Sequence, residues 1–124
     1  GCMDMKKMTK IEIITRPDKL EPFKDALVSI GVAGMTVTQV YGCGLTRGHL
    51  EVYRGQAYNV NLVPKIKLET VVCEIPVDTV LETAKKVLQT GQVGDGKIFV
   101  YPIENAVRIR TWEIGDVAII DPKE

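Results

Sequence analysis

Long hydrophobic runs are missing from this chain, and so is any net charge. Although 45% of its 124 residues are hydrophobic, no uninterrupted apolar run approaches the length that crosses a bilayer. The opening segment Gly1-Cys2-Met3-Asp4-Met5-Lys6-Lys7 lacks the apolar core of a secretory signal. A cytoplasmic protein is expected. Sixteen basic side chains are matched by 16 acidic ones, so no global field draws the chain to nucleic acid or inserts it at an anionic membrane surface. Cysteine is scarce and odd in number: Cys2, Cys43 and Cys73 show no Cys-x-x-Cys pairing, and His49 is the lone histidine. A disulfide framework or a zinc site of ordinary spacing is thereby disfavoured, and no metal ligand set is expected from the protein alone. None of the cysteines has a recognisable general-base motif beside it, and His49 lies in a long irregular segment, so catalysis is not expected either.

What is present is one domain's worth of chain, long enough to bury a real core. Residues 1–7 are set apart as an N-terminal extension, since Met3, Met5 and Met8 can each serve as a translation start and Gly1 reads as an expression remnant. Residues 8–120 carry the domain, and 121–124 are a short tail. Lys10 to Arg16 alternates and is β-rich until Pro17-Asp18 breaks it. Leu20, Phe23, Ala26, Leu27 and Ile30 then form a helical stripe ended by Gly31 at the expected C′ position. Met35 to Tyr41 and Lys65 to Val72 read as the second and third strands. Pro76 opens a second helix with its stripe at Val77, Val80, Leu81, Ala84, Val87 and Leu88, and Lys97 to Pro102 is a fourth strand. Ala106 to Trp112 alternates again and predicts an extra strand. The order β-α-β-β-α-β defines an α+β, ferredoxin-like sandwich with both helices on one sheet face. The other face also carries apolar residues, which predicts a homo-oligomer.

Two segments carry the functional signal. Thr90-Gly91-Gln92-Val93-Gly94-Asp95-Gly96-Lys97 gathers three glycines and a lysine in a turn ahead of a strand, where backbone N–H groups and an ammonium can surround a phosphate. The spacing is not that of a P-loop, and no helix follows the lysine. The plainer reading makes Gly91 the C′ cap of the second helix and Asp95-Gly96 an ordinary turn. The second segment, 44–61, protrudes as a long loop rich in tyrosine, arginine and glycine. Its content suits a recognition arm, and a simple extension of the hairpin is the alternative.

These motifs together resemble the PII signal-transduction proteins, trimeric nitrogen and energy sensors, from about Met8 to Ile119. Thr90 to Val100 fits the family's C-terminal signature at every constrained position, and Tyr53-Arg54-Gly55-Gln56-Ala57-Tyr58 fits its loop signature except at Gln56. Gly34 to Thr38, Pro64-Lys65 and Arg108 to Thr111 also fall where the family has counterparts. The resemblance implies a homotrimer with ATP or ADP in each inter-subunit cleft. Gly94, Asp95, Gly96 and Lys97 would lie around the phosphates, Arg108 and Arg110 would reach them, Gly44 would border the site, and Thr36 and Val71 would line the adenine pocket. It also implies 2-oxoglutarate bound through Mg²⁺, with Lys65 as the matching lysine. Tyr58 matches a tyrosine modified in some members, and Arg54 an arginine that contacts an ammonium transporter in others. Nitrogen-assimilation enzymes are the other implied targets.

Three departures bear on these implications. Thr46 stands where the family has the glutamine that coordinates Mg²⁺, a shorter and differently placed oxygen ligand, which puts the 2-oxoglutarate response in question. Leu45 replaces an arginine common at the base of the loop, and Trp112 replaces a glycine. The expected function is a non-enzymatic regulator of nitrogen metabolism acting through its loop. A divergent adenine-nucleotide sensor for another metabolite and a slow nucleotide hydrolase are the alternatives.

Overall fold

The computed structural model describes residues 7–45 and 60–120. Among the described residues, four strands and two α-helices build the domain: β1 (Met8–Thr15), α1 (Leu20–Ser29), β2 (Thr36–Leu45), β3 (Val60–Val72), α2 (Val77–Leu88) and β4 (Lys97–Ile103). The strands make one antiparallel sheet in the order β2-β3-β1-β4, and the helices share one of its faces, as a ferredoxin-like sandwich requires.

The strand period decides which residues meet the helices. In β1, Ile11 and Ile13 are fully buried while Lys10, Glu12 and Ile14 turn to the other side. Phe23 and Leu27 of α1 and Val80, Ala84 and Leu88 of α2 close over them, joined by Ile66, Leu68 and Val72 of β3. The α1 C-terminus shows why Gly31 is where it is. Its amide donates to Val28 O at 3.0 Å and the Val32 amide to Leu27 O at 3.0 Å, the two bonds of a Schellman cap. The left-handed φ of +99° that this demands falls on a glycine. Val32 and Leu27 both enter the core, which completes the motif. Pro76 opens α2 as expected, its carbonyl accepting from the Thr79 and Val80 amides.

Two expectations are corrected. The extra strand over 106–112 does not form: only Val107 and Ile114 bridge, because the chain folds back in between. The Trp112 amide donates to Arg108 O at 2.7 Å and the Arg108 amide to Glu113 O at 2.9 Å, so alternation that looked like strand is consumed by a tight turn. Gly91 is not the C′ cap of α2, since the helix ends at Leu88 with Gln89 already extended. The positive φ of Gly91, +84°, serves the following turn instead. Strands β2 and β3 run further than their patterns suggested, to a last pair Leu45↔Val60. The base of the 44–61 arm is thus a two-stranded ribbon, while Thr46, Arg54 and Tyr58 lie outside the described residues.

Trp112 is the one non-glycine residue with positive φ among those described, at +59°, and its side chain is 65% exposed. A bulky residue in this region costs about 1–2 kcal/mol, and an exposed ring recovers little of that. Trp112→Gly is therefore expected to leave the isolated domain more stable by about 1 kcal/mol in denaturant unfolding. A loss of stability would show that the indole packs against something in solution.

Candidate functional site

The register of the sheet collects most of the candidate residues on the face that the helices leave open. Residues directly opposite in adjacent strands share a face. Thr36 pairs with Glu69, Val40 with Lys65, Lys10 with Val71, and Ile14 with Lys97, so Thr36, Lys65, Val71 and Lys97 all belong to the face of Lys10, Glu12 and Ile14. Gly44 pairs with Asn61 near the far end of the β2–β3 ladder. The face is mixed in character. Phe99 and Tyr101 are exposed there, and the Lys10 ammonium sits 3.2 Å from Glu69 and 4.7 Å from the Tyr101 ring centre. Glu69 holds that ammonium above its ordinary pKa.

At one end of the face lies the glycine turn. Gly91, Gly94 and Gly96 all take positive φ, which brings the chain back over the end of β1. A Cβ on Gly96 would run into the Ile14 carbonyl, so only glycine lets the turn lie on the strand. The Thr15 hydroxyl donates to Asp95 O at 2.8 Å, and Lys65 Nζ donates to Gly94 O at 2.6 Å. The Asp95 carboxylate accepts from the Thr90 amide at 2.8 Å, the Gly91 amide at 2.9 Å and the Thr90 hydroxyl, and pairs with Arg16. Arg16 Nη2 also donates to Val93 O at 2.8 Å. The Thr90 hydroxyl first and Arg16 second, with the two amides, hold the Asp95 carboxyl well below the usual carboxylate range. Lys97 is exposed and makes no ion pair among the described residues. Two cations, Arg16 and Lys65, thus bond a turn of positive-φ backbone, and a third, Lys97, follows it as the first residue of β4, a setting suited to an oxyanion.

At the other end, a cleft of about 490 Å³ opens beside the start of β2 and the end of β3, lined by Gly34, Val71, Arg108 and Ile119 among others. Arg108 Nη2 donates to Ile120 O at 2.6 Å, whereas Nε is buried without a hydrogen-bond partner, 3.4 Å from a Glu113 carboxylate oxygen. The Glu113 carboxylate lies within ion-pair range of this donor without the geometry of a hydrogen bond, so a better-placed anionic oxygen would gain there. Val71 and Arg108 are brought together here. Thr36 stands two residues beyond Gly34 on the open face, and Arg110 is exposed in the Arg108–Glu113 turn.

The two ends do not meet within one chain. Lys65 and Val71 are six residues apart on β3, roughly 20 Å along an extended strand. Arg16, Thr15 and Thr90, none of them predicted as site residues, prove to hold the turn. The usable signal was antiparallel pairing: a strand starting at Lys97 beside the end of β1 sets Thr15 and Arg16 against Asp95 and Gly96.

A two-layer α+β sandwich with a β2-β3-β1-β4 antiparallel sheet and both helices on one of its faces is, by class, a ferredoxin-like domain. Within that class the chain belongs to the nitrogen regulatory protein P-II family, whose model matches residues 8–113. It is 50% identical over 113 residues to a nitrogen regulatory PII-like protein of Bacillus subtilis, covering 91% of this chain and 97% of that one. It is 48% identical over 112 residues to nitrogen regulatory protein P-II 1 of Escherichia coli, covering 90% and 100%. Among solved structures, B. subtilis GlnK superimposes with a TM-score of 0.79 at 51% identity, over 90% of this chain and 98% of that one. A B. subtilis GlnK–ATP complex gives 0.78 at 46% identity, over 90% and 95%.

Two outcomes are expected from this geometry. Gly96→Ala should push the turn off Ile14, raising amide exchange across 91–96 while leaving the core strands protected. The second concerns pH. The folded-state pKa of Asp95 is depressed, so its contribution is complete above the unfolded-state value, near 4, and declines as pH falls toward the folded value. The Thr90 and Gly91 amide shifts should therefore hold constant in an NMR titration down through pH 4 and move only in stronger acid.

Proposed function

We propose that this chain is a PII-type regulator that binds ATP or ADP in clefts between the copies of a homotrimer. The observation that supports it best is the division of the site. Val71 and Arg108 offer an apolar wall and a guanidinium at one end of the sheet face, and Gly94 to Lys97 offer a phosphate turn at the other. At roughly 20 Å of separation the two halves serve one small nucleotide only if they come from different chains. A closed ring of copies would also cover the exposed Phe99 and Tyr101. The relative solved with ATP supports the choice of ligand.

In this reading Lys97 and the turn's backbone hold the phosphates, Arg108 and Arg110 of a second copy complete their neutralisation, and Thr36 and Val71 pack the adenine. Gly44 lies at the cleft's border, and Asp95 belongs to the turn. A resident Mg²⁺ would have its ligands from the nucleotide, and 2-oxoglutarate would draw on Lys65. Thr46, the residue that would adjust this second ligand, lies outside the described residues. Binding shifts the population of arm conformations, and the arm then fits or fails to fit a target. Arg54 is the proposed target contact and Tyr58 the proposed modification site. The targets are an ammonium transporter or nitrogen-assimilation enzymes, the setting is the cytoplasm, and the output is regulation rather than turnover.

Calorimetric titration with ATP, ADP and AMP, with and without Mg²⁺ and 2-oxoglutarate, tests the reading, with light scattering to count the copies. ATP or ADP should bind a trimer, and Lys97→Ala should weaken ATP by about tenfold or more, the worth of one charge-assisted hydrogen bond. Normal ATP binding by Lys97→Ala would remove the phosphate assignment. Absence of any added affinity from 2-oxoglutarate with Mg-ATP would remove the second ligand.

A further inference from the structure

We infer that Asp95 and Arg16 are a positioning pair for the phosphate turn, and that the Asp95 carboxylate faces away from the ligand rather than toward it. The inference deepens the proposed nucleotide site and rests on that reading. An aspartate in a phosphate-binding turn is an oddity, because its charge repels the ligand unless it is spent elsewhere. Here it is spent on the turn itself. The carboxylate accepts the amides of Thr90 and Gly91 at 2.8 and 2.9 Å and the Thr90 hydroxyl, and it pairs with Arg16. Arg16 in turn uses its second nitrogen on Val93 O at 2.8 Å. The planar fork thus grips both the side chain and the backbone of one turn from the end of β1 with two nitrogens held at a fixed spacing, a geometry that a lysine's single nitrogen reproduces only in part. The consequence reaches the residues that would touch phosphate. With Thr90 to Val93 fixed and the Thr15 hydroxyl on Asp95 O, the backbone from Gly94 to Lys97 has its path set before any ligand arrives.

Charge alone and positioning predict opposite signs, which makes the pair testable. If Asp95 merely faced the phosphates, Asp95→Asn would tighten ATP. As a positioning residue, its loss should weaken ATP by about tenfold, again the worth of one hydrogen bond to a charged group. Adenosine, which lacks phosphates, should compete as well against the variant as against the unaltered protein. Arg16→Gln should show the same split between ATP and adenosine, the double variant should be no weaker than the weaker single one, and Arg16→Lys should recover part of the loss. The measurements are calorimetric titrations of the full chain, with thermal unfolding confirming that each variant folds. Unchanged or tighter ATP binding by Asp95→Asn overturns the pair, as does an equal loss for adenosine. Should the unaltered protein bind no adenine nucleotide, the functional reading falls, and amide exchange at Thr90 and Gly91 without ligand decides the pair separately. Faster exchange in Asp95→Asn upholds it, and unchanged exchange overturns it.

Discussion

The pairing of β1 on both of its edges is the constraint on which the rest of the structure depends. A strand with β3 on one side and β4 on the other has no freedom of register, since a one-residue slip would carry Ile11 and Ile13 out of the core and Lys10 and Glu12 into it. With the register fixed, β1 ends at a fixed height above the start of β4. The glycine turn is then laid against Ile14, Thr15 and Arg16, with Lys65 of β3 adding a single hydrogen bond to the Gly94 carbonyl. Core and candidate site are in this sense one problem: the strand that places Ile11 and Ile13 in the core also leads into the groups, Thr15 and Arg16, that hold the turn.

Much of this was legible in the chain because it is written in local periods. The alternation of Lys10 to Thr15, the stripe of α2 and the glycine at the end of α1 each specify their element through contacts within a few residues, and all three fold accordingly. The run from Ala106 to Trp112 failed for a physical reason. Alternation reports two faces of a strand only where a neighbour accepts its hydrogen bonds, and here the chain supplies its own neighbour by turning back at Trp112, with the amide of that residue on Arg108 O. Gly91 misled in the opposite way. A glycine after a helical stripe signals a C′ cap, but the helix stops at Leu88 and the positive φ belongs to the turn that follows. Arg16 was invisible as a functional candidate because its partners are some eighty positions away, joined only through the β1–β4 ladder.

The open sheet face unites two requirements that normally conflict. A face to be covered by other copies should be apolar, yet this one carries Lys10, Glu12, Lys67 and Glu69 in the middle. Their arrangement reconciles the two: Glu69 lies 3.2 Å from Lys10 and 3.8 Å from Lys67, and the Tyr101 ring takes the side of Lys10. Charges already paired within one chain bring less desolvation cost to an interface than isolated ones, and they repel a misplaced neighbour. Phe99 and Tyr101 supply the apolar area, and the ion pairs restrict how it can be used.

The three cations around the turn differ in how readily they are exchanged, and the difference follows from their partners. Arg16 is paired with a carboxylate and a carbonyl at once, so an incoming anion would have to break two bonds to recruit it. Lys97 is exposed and unengaged among the described residues, ready for the first oxyanion to arrive. Lys65 is intermediate: its ammonium gives a single bond at 2.6 Å to a neutral carbonyl, that of Gly94. A carboxylate or phosphate outcompetes such an acceptor, since hydrogen bonds between two charged groups are the stronger kind. Exchanging it leaves the Gly94 carbonyl to find a new donor, so whatever recruits Lys65 acts on the turn as well. Coupling between a second anion and the turn is therefore built into one hydrogen bond, and any such coupling is reciprocal.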